Sequence, residues 1–352
     1  MGASETDTGA TKENTLGIKV TLSTIADDLG VSTATVSLAL RDSPLVAEAT
    51  REKVRQRAKD IGYVYDRRAA SLRTQRSDIV GVIVRDIINP FFAEILRSIE
   101  AELGSNRQTF LLCNHGDDIA LQEDFISTLM QFGADGVIMS PSVGTSKEDI
   151  ERIEQNGLPV TLVARTVDEA SVPAFLGNDE AGFHLITKYL IEQGHTDIAL
   201  VGGTRLTSTG RARRAGFAKA YSDAGIALPQ RQDIETPYER KAGFQAVEEI
   251  LSQGPAPTAI ACCSDTVALG VMHGLRSRGL EPGVDVAVTG YDDIEEASIS
   301  APLLTTVADG HDEIGRLAAR ALFDKISGKG AENHAVFIEP QLKIRDSVHK
   351  HN

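Results

Sequence analysis

From Asp78 onward the chain alternates between short β-branched runs and longer amphipathic stretches, and few architectures accept that pattern. The runs lie at 79–84, 110–113, 136–139, 160–163, 198–201, 260–262 and 284–289. Helical patterns fall between and after them, at 92–103, 121–132, 180–193, 213–224, 241–252, 267–278 and 312–326. Strand, helix and strand in succession give a parallel sheet with helices on both faces. The series is too long for one such sheet. It predicts an α/β body of two doubly wound parallel-sheet lobes with a cleft between them, dividing after the run at 160–163.

The first 77 residues have a different character. Residues 1–18 hold almost no large apolar groups, so they are expected to be a disordered tail. Residues 19–64 read as three short helices. Thr21 suits an N-cap, with Leu22, Ile25, Ala26 and Leu29 on one face and Gly30 as the stop. Ser32 then caps a second helix over 33–40, with Val36 and Leu40 facing inward, and a third runs from about 48 to 61. Two helices joined by a tight glycine turn form a helix-turn-helix, whose second helix is shaped for a DNA major groove. On its outer face stand Thr33, Ala34, Ser37 and Leu38, small or apolar groups suited to base edges and thymine methyls. Arg41 follows the helix, and Thr21, Ser23, Ser32 and Thr35 are placed for the phosphate backbone.

Charge distribution supports this reading more than total charge does. The formal net charge is −14, which by itself argues against nucleic acid. Residues 51–76, however, carry nine Lys and Arg against three acids. A basic segment in an acidic protein suggests a DNA-facing module on a separate body. No apolar run reaches the ~18 residues of a membrane helix, and no secretory pattern opens the chain, so a cytoplasmic location without membrane partners is expected. Cys113, Cys262 and Cys263 are too few for a disulfide framework and read as buried strand cysteines. No nucleotide, hydrolase or zinc motif is present, so no catalytic residue, metal or cofactor is expected.

The stretches VTLSTIADDLGVSTATVS, VAEATREKV, IGYV and RRAASLRT resemble the headpiece of the lactose-repressor family, and the likeness runs on to about Ser347. It implies a headpiece over 19–64, a hinge over 65–77 that folds on operator DNA, an effector-binding and dimerisation body over 78–347, and a short tail at 348–352. It also implies that Leu72, beside Ala69, wedges into the minor groove, with Tyr63, Arg67 and Arg68 as further DNA contacts. Tyr65-Asp66 stands where the family usually has a proline before its hinge.

The body resembles periplasmic sugar-binding proteins. In open α/β sheets ligands bind at the carboxyl ends of strands. That rule singles out Asp86, Asn89, Phe91 and Phe92 after the first strand, Arg165 after the fourth, and Ser264 and Asp292 after later ones, with Asn178 of GNDEAG as a further candidate. By its place ahead of Ala-Gly-Phe in STGRARRAGF, Arg213 corresponds to the arginine that holds effector in sugar and purine members. A guanidinium facing the Asp292 carboxylate suits a polyhydroxylated or otherwise polar ligand. Ser264 replaces an asparagine of the lactose repressor, and Ala164 an aspartate of several members; both losses point away from a plain hexose and toward a sugar acid, sugar phosphate or other polar metabolite.

Together these features predict a homodimeric repressor on a pseudo-palindromic operator, controlled by a small polar effector, with a solute-binding protein or a cleft enzyme as the alternatives. Nothing after Ser347 carries a leucine heptad, which favours a dimer over a tetramer. Leu72→Ala should weaken specific operator binding by no more than a few kcal/mol, the order of one unstacked base step, and leave nonspecific binding nearly intact. Filter-binding titrations on both DNAs check this; equal losses would remove the wedge role.

Overall fold

A computed structural model describes residues 20–64, 76–230, 233–329 and 333–351. Two compact units meet at residues 75 and 76. The expected tail over 1–18 lies outside the described residues, as does 65–75 with Arg67, Arg68, Ala69 and Leu72.

In the first unit, α1 (Leu22–Leu29), α2 (Thr33–Leu40) and α3 (Glu48–Asp60) enclose a small core of Ile25, Ala26, Val36, Ala39, Val46, Val54 and Ala58. Thr21 and Thr24 form a reciprocal capping box at the start of α1. Gly30 ends it at φ 64°, a left-handed turn that a side chain would strain. The Ser32 hydroxyl then accepts the Thr35 N–H at 3.1 Å and starts α2. Arg57 ties α3 to α1, its Nε and Nη2 donating to Asp28 Oδ2 at 2.8 and 2.6 Å.

The second unit contains β1 (Ile79–Val84), α4 (Pro90–Ser105), β2 (Thr109–Asn114), α5 (Ile119–Gln131), β3 (Gly136–Met139), α6 (Lys147–Gln155), β4 (Val160–Val163), β5 (Ala174–Gly177), α7 (Asp179–Glu192), β6 (Ile198–Val201), α8 (Ser208–Asp223), α9 (Arg240–Ser252), β7 (Ala259–Cys262), α10 (Asp265–Ser277), β8 (Ala287–Thr289), β9 (Thr306–Ala308), α11 (His311–Ile326), β10 (Ala335–Ile338) and β11 (Gln341–Lys343). One sheet has the order β10-β5-β4-β3-β1-β2, parallel throughout. Its central strands are buried on both faces, which is why they read as unbroken apolar runs. Ile95, Ile99, Ile314 and Ala318 of α4 and α11 cover one face; Ile126, Leu129, Ile150 and Ile153 of α5 and α6 cover the other. The second sheet, β6-β7-β8, is also parallel and lies between α7 and α8 on one side and α9 and α10 on the other. β9 and β11 form an antiparallel pair beside it. Among the described residues no helix is long and apolar enough to cross a membrane.

The division after 160–163 needs correction. β5, α11 and β10 belong to the first sheet's lobe, so the chain crosses between lobes at 177–179, 308–311 and 338–341. β5 is the four-residue run AFLG, with one large aliphatic residue and no β-branched one, too weak a pattern to read alone. The run expected at 284–289 begins only at Ala287, because Val284 sits in the preceding turn, 66% exposed. Cys262 and Cys263 are buried, Cys113 is half-buried, and all three are free.

One close approach sets the geometry of the cleft. A Cβ on Gly216 of α8 would lie 2.2 Å from the Glu180 carbonyl oxygen of α7. The absent side chain lets the two helices meet and places Arg213, one turn back on α8, against Asp179 at the start of α7. Gly216→Ala should cost about 1–3 kcal/mol by overpacking. Denaturant unfolding of that variant tests this, and wild-type stability would show that the two helices have room to part.

Candidate functional site

In the first unit, α2 presents its capped N-terminus to solvent. Thr21, Ser23, Ser32, Thr33, Ala34 and Arg41 are exposed and Thr35 is half-exposed, its Oγ1 2.9 Å from Ser32 Oγ. A short exposed helix N-terminus offers N–H groups and a partial positive charge to a phosphate. One member of the expected face, Ser37, turns inward. Ser37 is 4% exposed, since Val36, Ser37 and Ala39 of this two-turn helix all face its neighbours. Leu38 is half-buried and packs on the core, as does Tyr63. The basic stretch is also partly spent at home. Arg51 pairs with Glu48, Arg55 with Asp42 and Glu52, and Arg57 with Asp28, while Lys53 and Lys59 stand exposed.

In the second unit, residues just past β1, β4, β5, β8 and β9 line one cavity: Arg85, Arg165, Asp179, Asp292 and Asp309. Asn89, Phe91, Phe92, Ala164, Gly177, Thr209, Arg213 and Tyr238 complete the wall. Its volume is about 40 Å³, and a wider space of about 570 Å³ adjoins it across Arg85, Arg165 and Tyr238. Arg213 is 5% exposed. Its Nε donates to Asp179 Oδ1 at 2.7 Å, Nη1 donates to the Cys263 carbonyl, and Nη2 lies 3.8 Å from Asp292 Oδ1. The guanidinium stacks over Tyr291 with 4.1 Å to the ring centroid. Burial works against this charge, but Asp179, Tyr238, Asp292 and Tyr291 hold its pKa well above the usual value. Burial raises the carboxyls of Asp179 and Asp292 in turn, and Arg213 offsets only part of the rise, with Asp309 adding to it. One guanidinium thus stands among three carboxyls, those of Asp179, Asp292 and Asp309.

Of the expected cleft residues, Asn89, Phe91, Phe92, Arg165, Arg213 and Asp292 come together here. Asn89 also caps α4, accepting the Phe91 N–H at 3.1 Å, and the Phe91 and Phe92 rings meet edge to face at 5.1 Å. Three others do not line the cavity. Asn178 accepts the Ala181 N–H at 3.3 Å and Ser264 the Val267 N–H at 3.2 Å, each as a helix N-cap. Asp86 accepts the Ile88 N–H at 3.0 Å, in the turn after β1. Next to Ser264, Asp265 is a buried brace between Thr306 Oγ1 (2.5 Å) and the Ile294 N–H (2.9 Å), with burial pushing its pKa up to about 8. Arg85, Asp179, Thr209, Tyr238 and Asp309 escaped sequence reasoning; only Arg85, directly after Val84, carried the strand-end signal. Glu94, His311 and Asp312 bring potential metal-ligand atoms within 4.8 Å of one another, but Arg97 already pairs with both acids.

Residues 21–66 match the family described as bacterial regulatory proteins, lacI family, and residues 77–346 match the periplasmic binding proteins and sugar binding domain of LacI family. The chain belongs to the LacI family. The ribose operon repressor of Haemophilus influenzae is 30% identical over 329 residues, 94% of this chain and 98% of that one. The HTH-type transcriptional repressor PurR of Vibrio parahaemolyticus is 32% identical over 334 residues, 94% of this chain and 99% of that one. Among solved structures, the lac repressor dimer bound to operator and the anti-inducer ONPF superposes with a TM-score of 0.83 at 25% identity, covering 94% of this chain and 100% of that one. The complex of the regulator CelR with cellobiose gives 0.71 at 29% identity, over 93% and 99%. Within this LacI-family fold, the two matched regions coincide with the three-helix unit and the two-lobed body described above.

Arg213→Ala should destabilise the body by about 3–5 kcal/mol at pH 8, the cost of stranding buried carboxylates. Without the cation those carboxyls must stay protonated in the fold, whereas the unfolded chain releases their protons above about pH 4. The folded variant therefore binds more protons, its stability falls as pH rises, and the deficit should shrink at pH 5.5. Urea unfolding at the two pH values measures this.

Proposed function

We propose that this LacI-family protein is a transcriptional repressor that reads operator DNA with α2 and releases or grips it according to a small polar metabolite in the cleft. The observation that carries the reading is the exposed, Ser32-capped N-terminus of α2 on a folded three-helix unit, joined in one chain to a body whose strand ends converge on a polar cavity. Thr33, Ala34 and Arg41 face the base edges, with Thr21, Ser23 and Ser32 on the phosphates. Relatives named as repressors, and a neighbour named as a dimer on operator, support a homodimer on a two-fold site. Arg213, Asp292 and their neighbours bind the effector without turning it over. The protein works in the cytoplasm, and lobe movement on binding passes to the connector at 65–77, which enters the body at β1.

Ala34→Glu tests the DNA face. It places a carboxylate in the first turn of α2, which suits the helix but repels phosphate. Mobility-shift titration of the full chain on its own promoter region should show at least a tenfold loss, with an unchanged melting temperature. Wild-type affinity for that variant would rule out α2 as the reading helix.

A further inference from the structure

The cavity is electrically lopsided. Asp179, Asp292 and Asp309 crowd around Arg213 at one end. At the other, Arg85 and Arg165 converge on one carboxylate, Asp117. Arg85 Nε donates to Asp117 Oδ2 at 2.9 Å, and Arg165 donates to both oxygens, Nη1 at 2.5 Å and Nη2 at 3.3 Å. Arg165 Nη1 also reaches the Pro141 carbonyl at 3.2 Å. Asp117 is locked in place. Its N–H donates to His115 Nδ1 at 2.9 Å, and His115 Nε2 meets the Ser140 carbonyl at 3.0 Å. Both cations therefore draw on a carboxylate that cannot follow either one.

Arg85 is left short. The residue is 9% exposed, and its buried Nη1 finds no acceptor among the described residues. The Asp86 carboxylate is 3.7 Å away, beyond a hydrogen bond. An unmatched donor on a buried guanidinium is costly, and a site that keeps one discriminates strongly for ligands that supply the acceptor. Tyr238 stands between the two ends, its ring centroid 5.9 Å from the Arg85 guanidinium carbon and 5.7 Å from that of Arg213, and offers a flat wall.

We propose that the effector is a hydroxylated anion, a sugar acid or sugar phosphate in chemical class, with its charged oxygens on Arg85 and Arg165 and its hydroxyls toward Asp179, Asp292 and Arg213. The assignment rests on the cleft being the effector site. Arg85 Nη1 supplies the open donor that an oxyanion needs and Arg165 a second positive charge beside it, while the carboxyl-rich end with Arg213 accepts from and donates to hydroxyls.

The test uses the full chain and three matched classes of probe: ribose and glucose, ribonate and gluconate, and ribose 5-phosphate and glucose 6-phosphate. Thermal shift and titration calorimetry are run on wild type and Arg85→Met. Stabilisation should come from the acids or the phosphates and not from the neutral sugars, with the arm that responds naming the anion. Arg85→Met should bind the responding probe at least tenfold more weakly. Arg85→Gln, which keeps a donor toward Asp117, replaces it if the methionine variant unfolds. Stabilisation by a neutral sugar that both variants retain would overturn the proposal, as would no response to any anionic probe. Operator binding measured on the same samples separates this from the regulator reading. A neutral sugar that alters operator affinity removes the anion and leaves the regulator; anion binding by a protein that ignores its promoter does the reverse.

Discussion

The body is organised around a buried charge. Arg213 is fixed by Asp179 at the start of α7, by the Cys263 carbonyl at the end of β7 and by Asp292 after β8. These elements belong to the second lobe, and the guanidinium holds their ends at one point. A buried ion of this kind adds little net stability over an apolar substitute. It specifies which strand ends meet, and that is what a binding cleft requires. Tyr291 below the guanidinium and Gly216 one turn away make the arrangement possible, the first by stacking and the second by giving up its side chain.

The headpiece follows a different economy. Its core is small, and its stability leans on caps and on ion pairs such as Arg57 with Asp28. Several arginines in the sequence's most basic stretch hold helices together, so the positive charge left for DNA is less than the residue count suggests. The tips of α2 carry short polar side chains, which favours close approach of the backbone over long-armed base reading.

Local features were legible in the sequence. Thr21, Gly30 and Ser32 lie at the positions their chemistry implies, because caps and left-handed turns depend on a few neighbouring residues. Strands β1 to β4 and β6 to β8 were legible for a related reason, since burial within a doubly wound sheet favours continuous apolar runs, whereas β5 and β10 were not. Harder to read was anything decided by chain crossings. Asp179 and Asp309 enter the cleft only because the chain passes between lobes beside them, and Tyr238 arrives from a stretch with no pattern. Ser37 looked solvent-facing on a helical wheel, but a two-turn helix between two others exposes a narrower stripe than periodicity implies. Asn178 and Ser264 follow strands as ligand residues do, yet the helices that start there need their side chains first.

The three crossings between the lobes also set mechanical limits. Two bodies joined by one strand can swing in any direction, whereas three covalent crossings tie these lobes at three points and narrow the motions open to them. Opening of the cleft is thereby limited by the chain itself, before any side-chain contact between the lobes is counted.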